Sequence, residues 1–112
     1  MEDQYESVMQ SHQLTKERIM QLLFDHRSQL KVYSVSKIGL FGSFGRNEQN
    51  AESDIDFLVD FQPGKKTFQN YVRVLEMLEE IFHRKIDLVI IGSIKPALKH
   101  NIMESVEYAT IS

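Results

Sequence analysis

Residues 42 to 61 read "GSFGRNEQNAESDIDFLVDF", and "KIDLVII" follows at 85 to 91. Both stretches set carboxylates at the head of, or inside, strand-like apolar runs. Alternation along a strand sends Asp54 and Asp56 out of one face with Cα atoms roughly 6.6 Å apart at ~3.3 Å per residue, so the two can share an ion. Asp60 leaves the same face but lies about 20 Å from Asp54 by that rise, and is read as a solvated strand end. An ionised Asp87 within "IDLVII" faces a desolvation cost of several kcal/mol unless a cation or several donors meet it. If its strand pairs beside the one carrying Asp54 and Asp56, three carboxylates surround one point. Their repulsion, roughly 4 kcal/mol per pair at 4 Å and an effective dielectric of about 20, opposes such clustering without cations. Oxygen-only ligands select a hard ion, and Mg²⁺ takes one or two carboxylates plus substrate phosphates.

An isolated Asp-x-Asp is common on exposed strands, and "GS" alone is merely a turn. Their combination carries more. Gly42 frees the backbone for positive φ, Ser43 supplies a hydroxyl, and the N–H groups opening a short helix at about 43 to 47 form an anion cradle. Ten residues separate Ser43 from Asp54. The turn and the acidic strand head can then flank one cleft, one side holding phosphate oxygens and the other the ions that bridge them.

The elements that would position these groups follow from periodicity. A helix is expected over roughly 15 to 31, with Thr15 as cap and Ile19, Leu22, Leu23, His26 and Leu30 on its apolar stripe. "VSKIGLF" reads as a strand running into Gly42-Ser43. From Asp54 to Phe61 the alternation is clean: Ile55, Phe57, Val59 and Phe61 on one face, Asp54, Asp56, Leu58 and Asp60 on the other. Behind Thr67, the residues Phe68, Tyr71, Val72, Leu75, Leu78 and Phe82 trace the buried side of a second helix. "KIDLVII" is a third strand. Gly92 and Pro96 punctuate the start of a last helix, and a short extended tail fits 107 to 111. Strands alternating with helices imply an α+β (α/β-like) sandwich, a small sheet with helices packed on one face.

Length and composition agree. A chain of 112 residues with 42% hydrophobic content suits one domain, expected over 14 to 112 behind a flexible leader over 1 to 13. Without cysteine there is no disulfide or thiolate zinc site, and the cytosol is the expected compartment. The acidic start is unlike a signal peptide, and no apolar run approaches the ~20 residues that span a bilayer. With 13 basic and 16 acidic residues the net charge is -3, which disfavours stable nucleic-acid binding. The four histidines are too scattered for a zinc motif, and "HRK" at 83 to 85 is explained by compensation of a helix dipole, although Lys85 could meet a phosphate beside Asp87.

"GSFGRNEQNAESDID" resembles the glycine-serine, ten-residue, Asp-x-Asp signature of the DNA polymerase β-like nucleotidyltransferases. With "SDIDFLVDF", "KIDLVII" and "IKPALKHNIMESV", residues 15 to 108 are similar to the minimal nucleotidyltransferases, the MNT antitoxins paired with HEPN toxins. Members often carry "GSxARG", so Gly45 and Asn47 depart from the commoner residues while Arg46 is kept. The resemblance implies that Asp54 and Asp56 bind two Mg²⁺ ions, that Asp87 completes one site and helps deprotonate the acceptor, that Gly42 and Ser43 contact the nucleoside triphosphate, and that Arg46 touches a phosphate. It further implies transfer of AMP from ATP to a hydroxyl, by resemblance a tyrosine, of a HEPN ribonuclease toxin held in a hetero-oligomer. Two other functions stay open: a non-catalytic module that neutralises its partner by occlusion, and a transferase acting on a small molecule.

Overall fold

Thr15 opens the first helix, its hydroxyl accepting the Arg18 N–H at 3.2 Å and satisfying one of the donors a helix start leaves free. The structure, a computed structural model, describes residues 14–111, and the leader expected over 1 to 13 lies outside them. Helix α1 runs Lys16–Asp25 and α2 runs Arg27–Val32. One continuous helix was expected here, with His26 on its core stripe. Instead His26 leaves helical geometry at φ -102 and ψ 16, and both its backbone N–H and its ring Nδ1–H donate to the Leu22 carbonyl, at 3.1 and 2.8 Å. The ring thereby competes for a backbone acceptor, and the helix restarts one residue later.

Strand β1 (Val35–Phe41) leads into a one-turn helix α3 (Gly42–Gly45), and β2 spans Ile55–Phe61. Helix α4 (Phe68–Phe82) is capped by the Thr67 hydroxyl, which accepts the Asn70 N–H at 3.1 Å, and it ends at His83 in the left-handed region at φ 51. Strand β3 (Ile86–Ile90), a 3₁₀ turn (Ile91–Ser93), helix α5 (Pro96–Ser105) and a two-residue β4 (Glu107–Tyr108) follow. The sheet order is β3-β2-β1-β4, with β1 antiparallel to both β2 and β4 and β2 parallel to β3. A parallel pair needs a long crossover, and α4 supplies it. Among the described residues no helix is long and apolar enough to cross a membrane.

Ile38 and Leu40 of β1 and Ile55, Phe57 and Val59 of β2 form the sheet side of the core, against Ile19, Leu23 and Leu30 of the first two helices and Val74, Leu78 and Phe82 of α4. The rings of Phe57 and Phe82 meet at 5.7 Å, and burying each contributes about 1.5–3 kcal/mol. Phe68, expected on the buried stripe of α4, is 83% exposed. It occupies the first helical position, and Val74 and Met77 fill the core in its place. Leu58 is fully buried although it lies on the acidic face, opposite Gly39 in the β1–β2 register. The segment around β4 closes over Gly39 so tightly that an added Cβ would stand 2.7 Å from Val106 Cγ2 and 2.9 Å from Tyr108 Cδ1. Gly39→Ala should therefore cost about 1–3 kcal/mol by overpacking and loosen β4. Thermal unfolding and exchange of the Ala109 amide, which donates to Ile38 O at 2.9 Å, test this; an unchanged midpoint and unchanged protection would refute it.

Candidate active site

The antiparallel register of β1 and β2 ends on Phe41 opposite Asp56, so the chain leaving β1 turns directly beside that carboxylate. Gly42 has φ +71, and an added Cβ would stand 2.8 Å from Asp56 Cγ and closer still to Oδ2. Glycine is required there twice over, by conformation and by space. The turn then winds through α3, where the Arg46 N–H donates to Gly42 O at 3.0 Å and the Glu48 N–H to Ser43 O at 2.8 Å. Phe44, fully buried, anchors it. No side chain caps α3, and the first N–H groups of a helix have no intrahelical acceptor.

The parallel register of β2 and β3 sets Asp56 directly opposite Asp87. Neighbouring strands lie about 4.8 Å apart, so the two carboxyl groups leave the same face side by side. Burial, the negative charges of Asp87 and then Asp54, and a hydrogen bond with Asp87 push the Asp56 pKa up to about 6, against a smaller opposing pull from the Arg46 guanidinium. Desolvation was expected at Asp87, inside its apolar segment, but that residue is exposed and Asp56 is the partly buried one. The reason is topological: β3 is an edge strand and β2 an inner one. Asp54 precedes β2 and is exposed, its Oδ2 3.9 Å from Lys85 Nζ.

Among the described residues, no three histidine, cysteine, aspartate or glutamate side chains stand ready to cage a metal ion. Asp56 and Asp87 nevertheless suit a hard divalent cation, since they offer only oxygen donors and their crowding already raises the proton affinity of Asp56. Arg46 is exposed and ion-pairs with Glu48, Nε to Oε1 at 2.7 Å, while its charge reaches Asp56. Two contributors carry no local signal in the sequence. Tyr71, read as part of the α4 core stripe, donates its hydroxyl to Leu88 O at 2.6 Å, and burial and the Asp87 charge raise its pKa. Arg84, read as dipole compensation, donates instead to Ser53 O at 3.0 Å. Only tertiary pairing could have revealed either partner.

A protein-family profile described as "Nucleotidyltransferase domain" matches residues 20–109. A Methanocaldococcus jannaschii protein whose name places it among protein adenylyltransferases is 40% identical over 97 residues, covering 84% of this chain and 97% of that protein. The protein adenylyltransferase MntA of Thermococcus cleftensis is 33% identical over 96 residues, covering 85% and 96%. A minimal nucleotidyltransferase structure superposes with TM-score 0.64 at 24% identity, covering 79% of this chain and 93% of that one. A toxin-antitoxin crystal structure with AMP-PNP gives TM-score 0.61 at 23% identity, covering 87% and 75%. The complex of a tri-AMPylated Shewanella oneidensis HEPN toxin with its MNT antitoxin gives TM-score 0.56 at 20% identity, covering 81% and 73%. These three likenesses show the shared fold.

The raised Asp56 pKa makes stability depend on pH. The folded state holds this proton more tightly than the unfolded chain, whose carboxyl titrates near 3.8, so the contribution is full below that pH and is lost as pH rises through about 6. In the absence of divalent ions, the thermal midpoint should fall between about pH 4 and pH 7, and Asp56→Asn should flatten that limb and raise the midpoint at pH 7 by a few °C, on the order expected for a domain of this size. A pH profile identical in wild type and Asp56→Asn would contradict the assigned crowding.

Proposed function

Because the chain belongs to the nucleotidyltransferase domain family and is similar to named protein adenylyltransferases over most of its length, we propose that it transfers AMP from ATP to a tyrosine hydroxyl of a HEPN toxin partner and so acts as its antitoxin. The enzyme class follows from the family; the partner is suggested by the HEPN toxin–MNT antitoxin complex with the same fold, and the donor by the AMP-PNP complex. The observation that carries the reading is the convergence of Asp56 and Asp87 opposite the Gly42 turn.

In the proposed reaction the opening N–H groups of α3 and the Ser43 hydroxyl hold triphosphate oxygens, and Arg46 adds a positive charge at the same end. Asp54, Asp56 and Asp87 are the residues that would hold two Mg²⁺ ions, whose chemistry when bound is neutralisation of charge on the entering and leaving oxygens. The acceptor hydroxyl attacks the α-phosphorus in line, the bond from that phosphorus to the bridging oxygen breaks, and pyrophosphate departs. Asp87, exposed on the edge strand, takes the hydroxyl proton. The attached AMP brings negative charge and bulk to the toxin, opposing entry of its RNA substrate. An ATP donor and a chain without cysteine suit a cytoplasmic setting.

Incubation with the HEPN partner, Mg²⁺ and ATP should add adenylate mass to the partner. Asp54→Asn combined with Asp56→Asn should lower the rate by about 100-fold or more, consistent with several kcal/mol of lost charge stabilisation. Undiminished labelling in the double variant would remove the acids from the mechanism. Neutralisation that survives while labelling is lost would favour occlusion. Mg²⁺ and ATP together should also raise the thermal midpoint by more than the sum of their separate effects, since each completes the other's coordination. Additive shifts in calorimetry would count against that coupling.

A further inference from the structure

Arg84 sits in the corner between α4 and β3, immediately after the left-handed turn at His83. That turn aims the next two residues at the head of β2. The Arg84 guanidinium donates to Ser53 O at 3.0 Å, and the backbone carbonyl of Lys85 accepts the Ile55 N–H at 3.1 Å. Asp54 therefore lies between two tethers supplied by consecutive residues. The tether at Ser53 governs more than one peptide, because residues 50 to 53 close on themselves: the Ser53 N–H donates to Asn50 O at 3.1 Å and the Asn50 N–H to Ser53 Oγ at 2.9 Å. Fixing Ser53 fixes that turn.

The same guanidinium lies over the ring of Phe44, its Cζ 5.4 Å from the centroid, within the range of cation–π attraction. Phe44 is the buried anchor of the Gly42-Ser43 turn. One side chain thus touches both halves of the site: the carbonyl just ahead of Asp54 and the aromatic base of the phosphate turn. Arginine suits this double duty, since its planar fork donates in the plane while its face stacks on an aromatic ring; lysine can do only the first well.

We propose that Arg84 is a positioning residue for nucleotidyl transfer, holding the acidic head of β2 at a fixed separation from the Gly42-Ser43 turn through Ser53 O and the Phe44 ring. This rests on those groups being the active site. Arg84 acts through its neighbours and touches no reacting atom.

The test compares Arg84→Met and Arg84→Lys with wild type, measuring kcat and KM for ATP in AMP transfer to the HEPN partner, together with the thermal midpoint; Asp56→Asn serves as reference. Arg84→Met should lower kcat by about 10- to 100-fold, the usual cost of losing a group that orients the reactive ones, with a much smaller change in KM. Arg84→Lys should recover part of kcat, because its ammonium still reaches for the carbonyl. Wild-type kcat in folded Arg84→Met would overturn the proposal, as would Arg84→Lys no better than Arg84→Met with both losing activity only in step with stability. If Arg84→Met does not fold, Arg84→Lys decides: an intermediate kcat with near-wild-type KM and midpoint supports the role, and a wild-type kcat ends it. Full activity in Asp56→Asn would sink the site assignment itself, whereas an inactive Asp56→Asn beside an unaffected Arg84→Met would sink only the positioning role.

Discussion

Two carboxyl groups held side by side against their mutual repulsion are the constraint on which the rest of this structure depends. The parallel register of β2 and β3 puts Asp56 opposite Asp87, on backbones about 4.8 Å apart. An unfolded chain would keep these groups apart and solvated. The folded chain instead accepts a partly buried carboxyl whose proton affinity is raised by its neighbours. Core burial must outweigh that conflict, and the apolar faces of β1, β2 and α4 are packed directly behind the acids.

Strand topology brings the turn to the same end of the sheet. Because β1 runs antiparallel to β2, the end of β1 meets the start of β2; because β3 runs parallel, the start of β3 meets it too. The Gly42 turn leaves β1 there, Asp54 and Asp56 open β2 there, and Asp87 enters with β3. One central strand with one neighbour of each sense is thus the least arrangement that gathers all three sequence segments at one end of a sheet. Gly42 is the point at which two of them nearly collide, and a side chain there would occupy the space of the Asp56 carboxylate.

Much of this was legible in the residues because it depends on local rules. Thr15 and Thr67 cap their helices as their positions suggest, and the two-residue period from Ile55 to Phe61 marks a half-buried strand. The juxtaposition of Asp87 with Asp56 needed one assumption about pairing, which the β2–α4–β3 crossover satisfies. What periodicity could not show depends on distant partners or position in the sheet. His26 fits a helical stripe yet breaks the helix, because its ring finds the Leu22 carbonyl. Phe68 fits the α4 stripe yet stands at its first position outside the core cluster. The desolvated carboxylate is Asp56 and not Asp87, since an apolar segment says nothing about which strand lies at the edge. Arg84 looks like a helix-end charge until Ser53 and Phe44 are seen beside it.

The edge position of Asp87 carries its own cost. The proposed protein acceptor needs an open approach, and an edge strand supplies one, but an open edge also presents unpaired backbone groups that invite another strand. Lys85 O accepts from Ile55 on β2, so alternation along β3 turns the carbonyls of Leu88 and Ile90 outward, away from the sheet. Both are occupied: Leu88 O accepts the Tyr71 hydroxyl at 2.6 Å, and Ile90 O accepts the Ser93 hydroxyl at 2.8 Å. A pairing strand would have to displace two side-chain hydrogen bonds before forming its own. The edge stays accessible to a side chain while discouraging a backbone, and Tyr71, which caps Leu88 O close enough to Asp87 to feel its charge, ties that protection to the site itself.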